Sequence, residues 1–218
     1  MFKQYREIEA GEFILVAGDC SQGGADKNAC HFISKTKLDI PMVYHSPGVA
    51  AQMTTDLYPV LNKIFATTHK RPMVALERNN GGASEMERLR VLNREEKYQL
   101  FVMPTIGQVM DNQTKRLGYD MNSATRPIVV GGLKNVIDSK TFKIYDEETI
   151  QQLFWFIINR NGKPEAIRGK HDDLVMSLGI GVQLFQLCED TAHRIKSGGV
   201  PYDTEHRSWG ISSLDAYR

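Results

Sequence analysis

Asp19, Glu77 and the adjacent pair Asp172–Asp173 are the residues of this chain best placed to do chemistry. Asp19 closes the run Phe13-Ile14-Leu15-Val16-Ala17-Gly18, and Glu77 closes Pro72-Met73-Val74-Ala75-Leu76. Unbroken apolar runs of this length read as strands covered on both faces. A carboxylate at the end of such a strand costs several kcal/mol if it stays charged and unpaired. A metal ion is one compensation. The alternative for Asp19 is a cap on the turn that Gly23-Gly24 completes. Asp172 and Asp173 open a long, mostly apolar segment that reads as a helix to about Leu187.

Two strands that each end in an acid, and a helix that begins with one, can converge on a single point. Carboxylates gathered there repel one another, so cations are needed to keep them ionised together. Hard oxygen ligands suit Mg²⁺ or Mn²⁺. Two such ions, about 3.5–4 Å apart, can activate a water and stabilise the leaving oxygen of a phosphodiester. Each helical residue advances about 100°, so Asp172 and Asp173 point in different directions. Asp173 projects with Ser177, Ile180 and Leu184, the side expected to face the sheet, and is the expected direct ligand. Asp172 projects with Gly179, Gln183 and Gln186, the most polar stripe, and is left to reach a second ion or to favour the helix N-terminus.

The elements that must position these acids follow in order. Residues 1–10 read as a polar lead-in, followed by the Asp19 strand and a glycine turn. A second strand over 29–34 makes a hairpin with the first, and 41–45 adds a third strand to the meander. Residues 49–67 carry helical spacing, with Pro59 expected to kink or divide the helix. The Glu77 strand comes next, then a charged helix from Ala83 to about Tyr98 and a short strand over 100–103, closed by Pro104. A polar, irregular stretch over 105–127 precedes a short helix over 128–137 and a small edge strand over 142–145. Asp146 caps a helix running through Ile157 and Ile158, and Asn161-Gly162-Lys163-Pro164 is a turn. Ser177, Gly179 and Gly181 would let the last helix pack closely on a sheet. The pattern predicts a mixed α/β domain with a partly parallel sheet over 1–190, and a loosely ordered polar tail over 191–218.

Composition narrows the class. The 218 residues carry a net charge of +1, so no global basic field draws in nucleic acid, and local patches would have to hold it. Three cysteines without CxxC spacing argue for a reducing compartment and against structural zinc. No apolar run is long enough for a membrane span, and no signal peptide opens the chain.

Taken together, "GDCSQGGADKNA" around Asp19, "ALERNNGG" around Glu77 and "GKHDDLVMSLGIG" resemble the nuclease domain of a tailed-bacteriophage terminase large subunit. The stretches "KRLGYDMNSATRPIVVGGLKNVI" and "DEETIQQLFWFI" extend the resemblance over roughly residues 10–187. It implies a ribonuclease H-like mixed β-sheet flanked by helices, and metal-dependent cutting of concatemeric double-stranded viral DNA during genome packaging. It also implies Asp19, Glu77, Asp172 and Asp173 as ligands of Mg²⁺ or Mn²⁺, with Asp26 at a position where the family often has another acid. A terminase ATPase, a small terminase subunit and a portal are the implied partners, and the cytoplasm of an infected bacterium the implied location. Terminase large subunits also carry a packaging ATPase, and no GxxxxGK[ST] occurs here. The chain is therefore expected to cut without pumping, with the motor removed or on another chain.

Three other readings stay open. A junction resolvase or transposase-type core would share the metal chemistry. An actin-like or sugar-kinase ATPase is suggested by "GDCSQGG" but lacks a second phosphate loop. A DNA-binding or assembly module with a dead site fits poorly with four acids in place. Lys115, Arg116, Arg126, Lys134, Lys140 and Lys143 are either solvated surface charge or a wall that binds DNA phosphates. His171 reads as a residue behind the ligands or at the helix start rather than as a ligand.

Overall fold

The computed structural model describes residues 1–103 and 116–188. Pro104, Lys115 and the tail over 191–218 lie outside the described residues. The polar lead-in contains a strand, β1 (Phe2–Gln4), which pairs with the edge of the meander. Phe2 packs with tilted rings against Tyr44 and Phe32, and this apolar anchor draws the segment onto the sheet against its polar composition. The meander is β2 (Ile14–Asp19), β3 (Asn28–Ser34) and β4 (Asp39–Ser46), antiparallel throughout. Helix α1 (Ala50–Thr68) crosses to β5 (Met73–Leu76), which runs parallel to β2. Helix α2 (Gly82–Leu92) and the two-residue strand β6 (Gln99–Leu100) follow, giving the sheet order β1-β4-β3-β2-β5-β6. The sheet is mixed, as expected. Pro59 does not divide α1, and it sits on the exposed side of the helix.

Alternation along the strands sorts the core into two layers. Ile14, Val16, Phe32, Val74 and Leu76 face α1 and α2. Leu15, Ala17, Ile33 and Ala75 face the other way, where α5 (Asp173–Leu187) covers them. Behind α5 lie α3 (Thr125–Asp138) and α4 (Glu147–Trp155). A Cβ on Gly181 would stand 2.4 Å from Ile33 Cδ1, and one on Gly179 would stand 2.5 Å from Val129 Cγ1. So α5 is clamped between the sheet and α3. Of the polar stripe expected of it, Gln186 is exposed, whereas Gly179 and Gln183 are buried against α3.

Two further expectations fail locally. Residues 142–145 form no strand, only a bridge from Lys143 to Asp39. The helix capped by Asp146 stops at Trp155, and Phe156–Ile158 becomes β7, paired with β8 (Pro164–Ala166). The β-branched pair Ile157-Ile158 and Gly162 at φ 76° favour this hairpin over another helical turn. No described helix is long and apolar enough to cross a membrane.

Candidate metal centre

The parallel register of β2 and β5 brings the first two acids together. Gly18 pairs with Leu76, and the Glu77 amide donates to the Gly18 carbonyl at 2.7 Å. Asp19 shares a face with Ala17, and Glu77 shares it with Ala75. Both therefore point to the α5 side. Asp173 opens α5 above them and is 8% exposed, the same as Glu77. Its Oδ2 accepts from the Lys27 amide at 3.2 Å. The next residue's amide, Leu174, is capped by Gln152 Oε1 at 2.9 Å, which fixes the helix start.

The acids also bear on one another electrostatically. Burial, then the charges and hydrogen bonding of Glu77, then Asp173 and Asp172, push the Asp19 carboxyl well above its ordinary value. Among the described residues no lysine or arginine pairs with Asp19, Glu77 or Asp173. Asp172 differs. Burial raises its carboxyl, but Arg126 Nη2 donates to Oδ2 at 3.1 Å and opposes the shift. A cluster of carboxylates without a protein cation, offering only oxygens, fits a hard divalent ion.

The residues expected near the acids separate. Asp26 Oδ1 lies 3.3 Å from His171 Nδ1, and both have a ligand atom within 4.8 Å of one from Asp173. Of the basic residues, Arg126 alone among those described touches an acid of the centre. Arg116 pairs with Asp120, and Lys134 pairs with Asp138. Lys134 and Lys140 line an apolar groove between α3 and α4. Lys143 lies over Tyr145 beside Asp39, which the register Ile14–Ser34–Asp39 places at the opposite end of the sheet from Asp19.

Two residues that sequence reasoning missed support the centre. Asn79 Nδ2 donates to Glu77 Oε1 at 2.8 Å and to the Met121 carbonyl at 2.9 Å, orienting the carboxylate. His45 stands in the same cross-sheet row as Asp19, through Ala29, with Nδ1 2.9 Å from Glu148 and Nε2 3.8 Å from Asp173. Counting the hairpin register from Asp19 would have found His45.

No family model and no curated protein matches the chain. Solved structures do. The large terminase nuclease from thermophilic phage G20c with bound magnesium superposes with a TM-score of 0.56 at 14% identity, covering 83% of this chain and 84% of that one. The human cytomegalovirus terminase nuclease domain, soaked with manganese, gives 0.55 at 12% identity, over 82% and 85%. The P22 large terminase nuclease domain gives 0.51 at 13% identity, over 88% and 90%. The six-stranded mixed sheet with α5 laid across its acid-bearing end is the ribonuclease H-like fold of the terminase large-subunit nuclease domains.

Proposed function

We propose that this chain is a metal-dependent endonuclease acting on double-stranded DNA, with Asp19, Glu77 and Asp173 as principal metal ligands and Asp172 beside them. The observation that carries the reading is the charge imbalance: four carboxylates interact at Asp19, and one arginine answers them at the edge. Solved neighbours described with bound magnesium, cobalt or zinc support a divalent ion, and Mg²⁺ or Mn²⁺ suits the all-oxygen set. Two ions bound there would supply an activated water and stabilise charge on the leaving oxygen of a phosphodiester.

The chain's own contribution is positioning. Asn79 fixes the orientation of Glu77, and the Lys27 amide fixes Asp173. The apolar side of α5 keeps water away from everything behind the carboxylates. Arg126, part-exposed beside Asp172, is the basic residue placed to meet a DNA phosphate near the centre. With no base-reading motif in the sequence, cutting is expected to show little sequence preference and to weaken with salt. The biological setting consistent with the fold is the cutting of concatemeric viral DNA during packaging, in the cytoplasm of an infected bacterium. A terminase ATPase, a small subunit and a portal would be the partners.

The test is cleavage of supercoiled plasmid by the purified chain. It should be nicked or linearised with Mg²⁺ or Mn²⁺ and stay intact in excess EDTA; undiminished cutting in EDTA would end this reading. A four-way junction run beside the plasmid separates it from a resolvase, which would prefer the branched substrate.

A further inference from the structure

The second cluster beside the acids contains nitrogen. Asp26 comes from the β2–β3 connection, His171 from the loop before α5, and Asp173 from the helix itself. Their ligand atoms lie within 4.8 Å of one another, and Asp26 Oδ1 and His171 Nδ1 are 3.3 Å apart. Metal–ligand bonds of about 2.0–2.2 Å leave neighbouring ligand atoms about 3–4 Å apart, so little movement is needed to close this set on an ion. The backbone holds the acids in place: Ser21 Oγ donates to the Asp26 carbonyl at 2.9 Å, and the next amide, Lys27, donates to Asp173.

His45 is the independent observation. It is 9% exposed, and its Nε2 is buried without a hydrogen-bond partner, 3.8 Å from Asp173 Oδ2. Leaving such a nitrogen buried and unpaired is costly. Glu148 Oε1 stands 2.9 Å from Nδ1 and accepts from the Nδ1–H tautomer, the one in which Nε2 carries the lone pair. A carboxylate behind a histidine in this way is the arrangement that orients metal-ligating imidazoles. His45, Glu148, His171 and Asp173 line one cavity of about 280 Å³. Of the lysines in its wall, Lys27 pairs with Glu148 at 3.7 Å and Lys170 lies over the Trp155 ring at 4.0 Å.

We infer that Asp26, His171 and Asp173, with His45 as a further nitrogen donor, form a site for a transition-metal ion of the Co²⁺ or Zn²⁺ class. It is separate from the all-oxygen centre at Asp19 and Glu77 and shares only Asp173 with it. Imidazole nitrogens favour these ions, whereas Mg²⁺ keeps to oxygen and water. The site does not depend on the nuclease reading.

The experiment is a Co²⁺ titration of the full chain in a large excess of Mg²⁺, followed by visible absorption and by calorimetry. Wild type should bind one Co²⁺ with a nitrogen-ligated spectrum. His171→Ala and Asp26→Asn, both at exposed positions, should each lose at least tenfold in Co²⁺ affinity, whereas Glu77→Gln should retain it. No Co²⁺ binding over Mg²⁺, or affinity unchanged in His171→Ala, overturns the inference. Plasmid cleavage in Mg²⁺ alone reports on the nuclease reading separately, so either idea can fail while the other stands.

Discussion

The sheet carries a carboxylate cluster at each end of β2, and the chain treats the two in opposite ways. At the Ile14 end, Glu12 and Asp39 share Arg6: its guanidinium donates to both oxygens of Glu12 at 2.8 and 2.7 Å and to both oxygens of Asp39 at 2.6 Å. Ser34 Oγ adds a bond to Glu12 at 2.6 Å. Burial alone would raise the Glu12 carboxyl, yet Arg6 and Ser34 hold it down to about 2. At the Asp19 end the same kind of burial acts with no lysine or arginine among the described residues on Asp19, Glu77 or Asp173, and the Asp19 carboxyl rises instead. One cluster is complete within the chain. The other has no lysine or arginine on its three inner acids among the described residues, and that difference separates a closed ion-pair network from a set of mutually repelling carboxylates.

The sharpest way to break the comparison is to remove one acid from each end. Asp19→Asn and Asp173→Ala should each lower Mn²⁺-dependent plasmid cleavage by more than ~100-fold, beyond the 10–100-fold typical of residues that only support a ligand. In chelator both should melt no lower than wild type, because removing a like charge relieves repulsion. A clear drop in melting temperature for Asp19→Asn would show that the acid end, too, is a structural network.

Arg6→Met tests the other end. It leaves buried Asp39 without its cation and Glu12 with only the part-exposed Lys37 at 3.6 Å, which costs about 3–5 kcal/mol. At about 2–4 °C per kcal/mol for a domain of this size, the melting temperature should fall by roughly 6–20 °C. The stabilisation that saturating Mn²⁺ gives wild type should survive in this variant and vanish in Asp173→Ala.

The acids that end strands were legible in the sequence because a surface position or a simple cap rarely follows so long an apolar run. The meander, the parallel β5 and the long last helix followed from the same periodicities. What stayed hidden depends on distant partners. Arg6, Glu12 and Asp39 carry no local pattern, and only the pairing of β3 with β4 brings Asp39 back to the start of β2. The β7–β8 hairpin hid inside a helical spacing that Phe154, Ile157 and Ile158 happen to satisfy. The helix projection read Gly179, Gln183 and Gln186 as a polar stripe of α5, but nothing in "LGIGVQL" announces that α3 covers the first two.

The pH dependence of stability should differ between the ends. Glu12 has a folded value of about 2 against an ordinary 4.5, so its contribution is complete above pH 4.5 and is lost as pH falls towards 2. The deficit of Arg6→Met relative to wild type should therefore shrink below pH 4.5. Asp19 is raised above its ordinary 3.8, so its charge penalises folding at neutral pH and the penalty disappears as acid protonates it. The advantage of Asp19→Asn in chelator should close as pH falls towards 3.8. Thermal melts of the three proteins between pH 3 and 7 check both signs; an advantage that widens with acid would contradict the raised carboxyl.

The smallest effect should come from Asp172, the acid that behaves as though it belonged to the other end. Arg126 stands to Asp172 as Arg6 stands to Glu12, although at 3.1 Å and in a single hydrogen bond. Part of its neutralisation is already supplied by the chain, so a metal ion has less to gain from it than from Asp173. Asp172→Asn keeps a side chain of the same shape and removes one charge from the set around Asp19. Cleavage should fall by about tenfold, with a higher Mn²⁺ concentration needed for half-maximal rate, while Asp173→Ala stays silent at any Mn²⁺ concentration. Arg126→Gln should shift the Mn²⁺ requirement the opposite way, because it frees Asp172 for the ion. Rate against Mn²⁺ concentration for the three variants decides the matter. A dead Asp172→Asn beside an active Asp173→Ala would reverse the assignment of the two acids and make Arg126 a gate on the principal ligand.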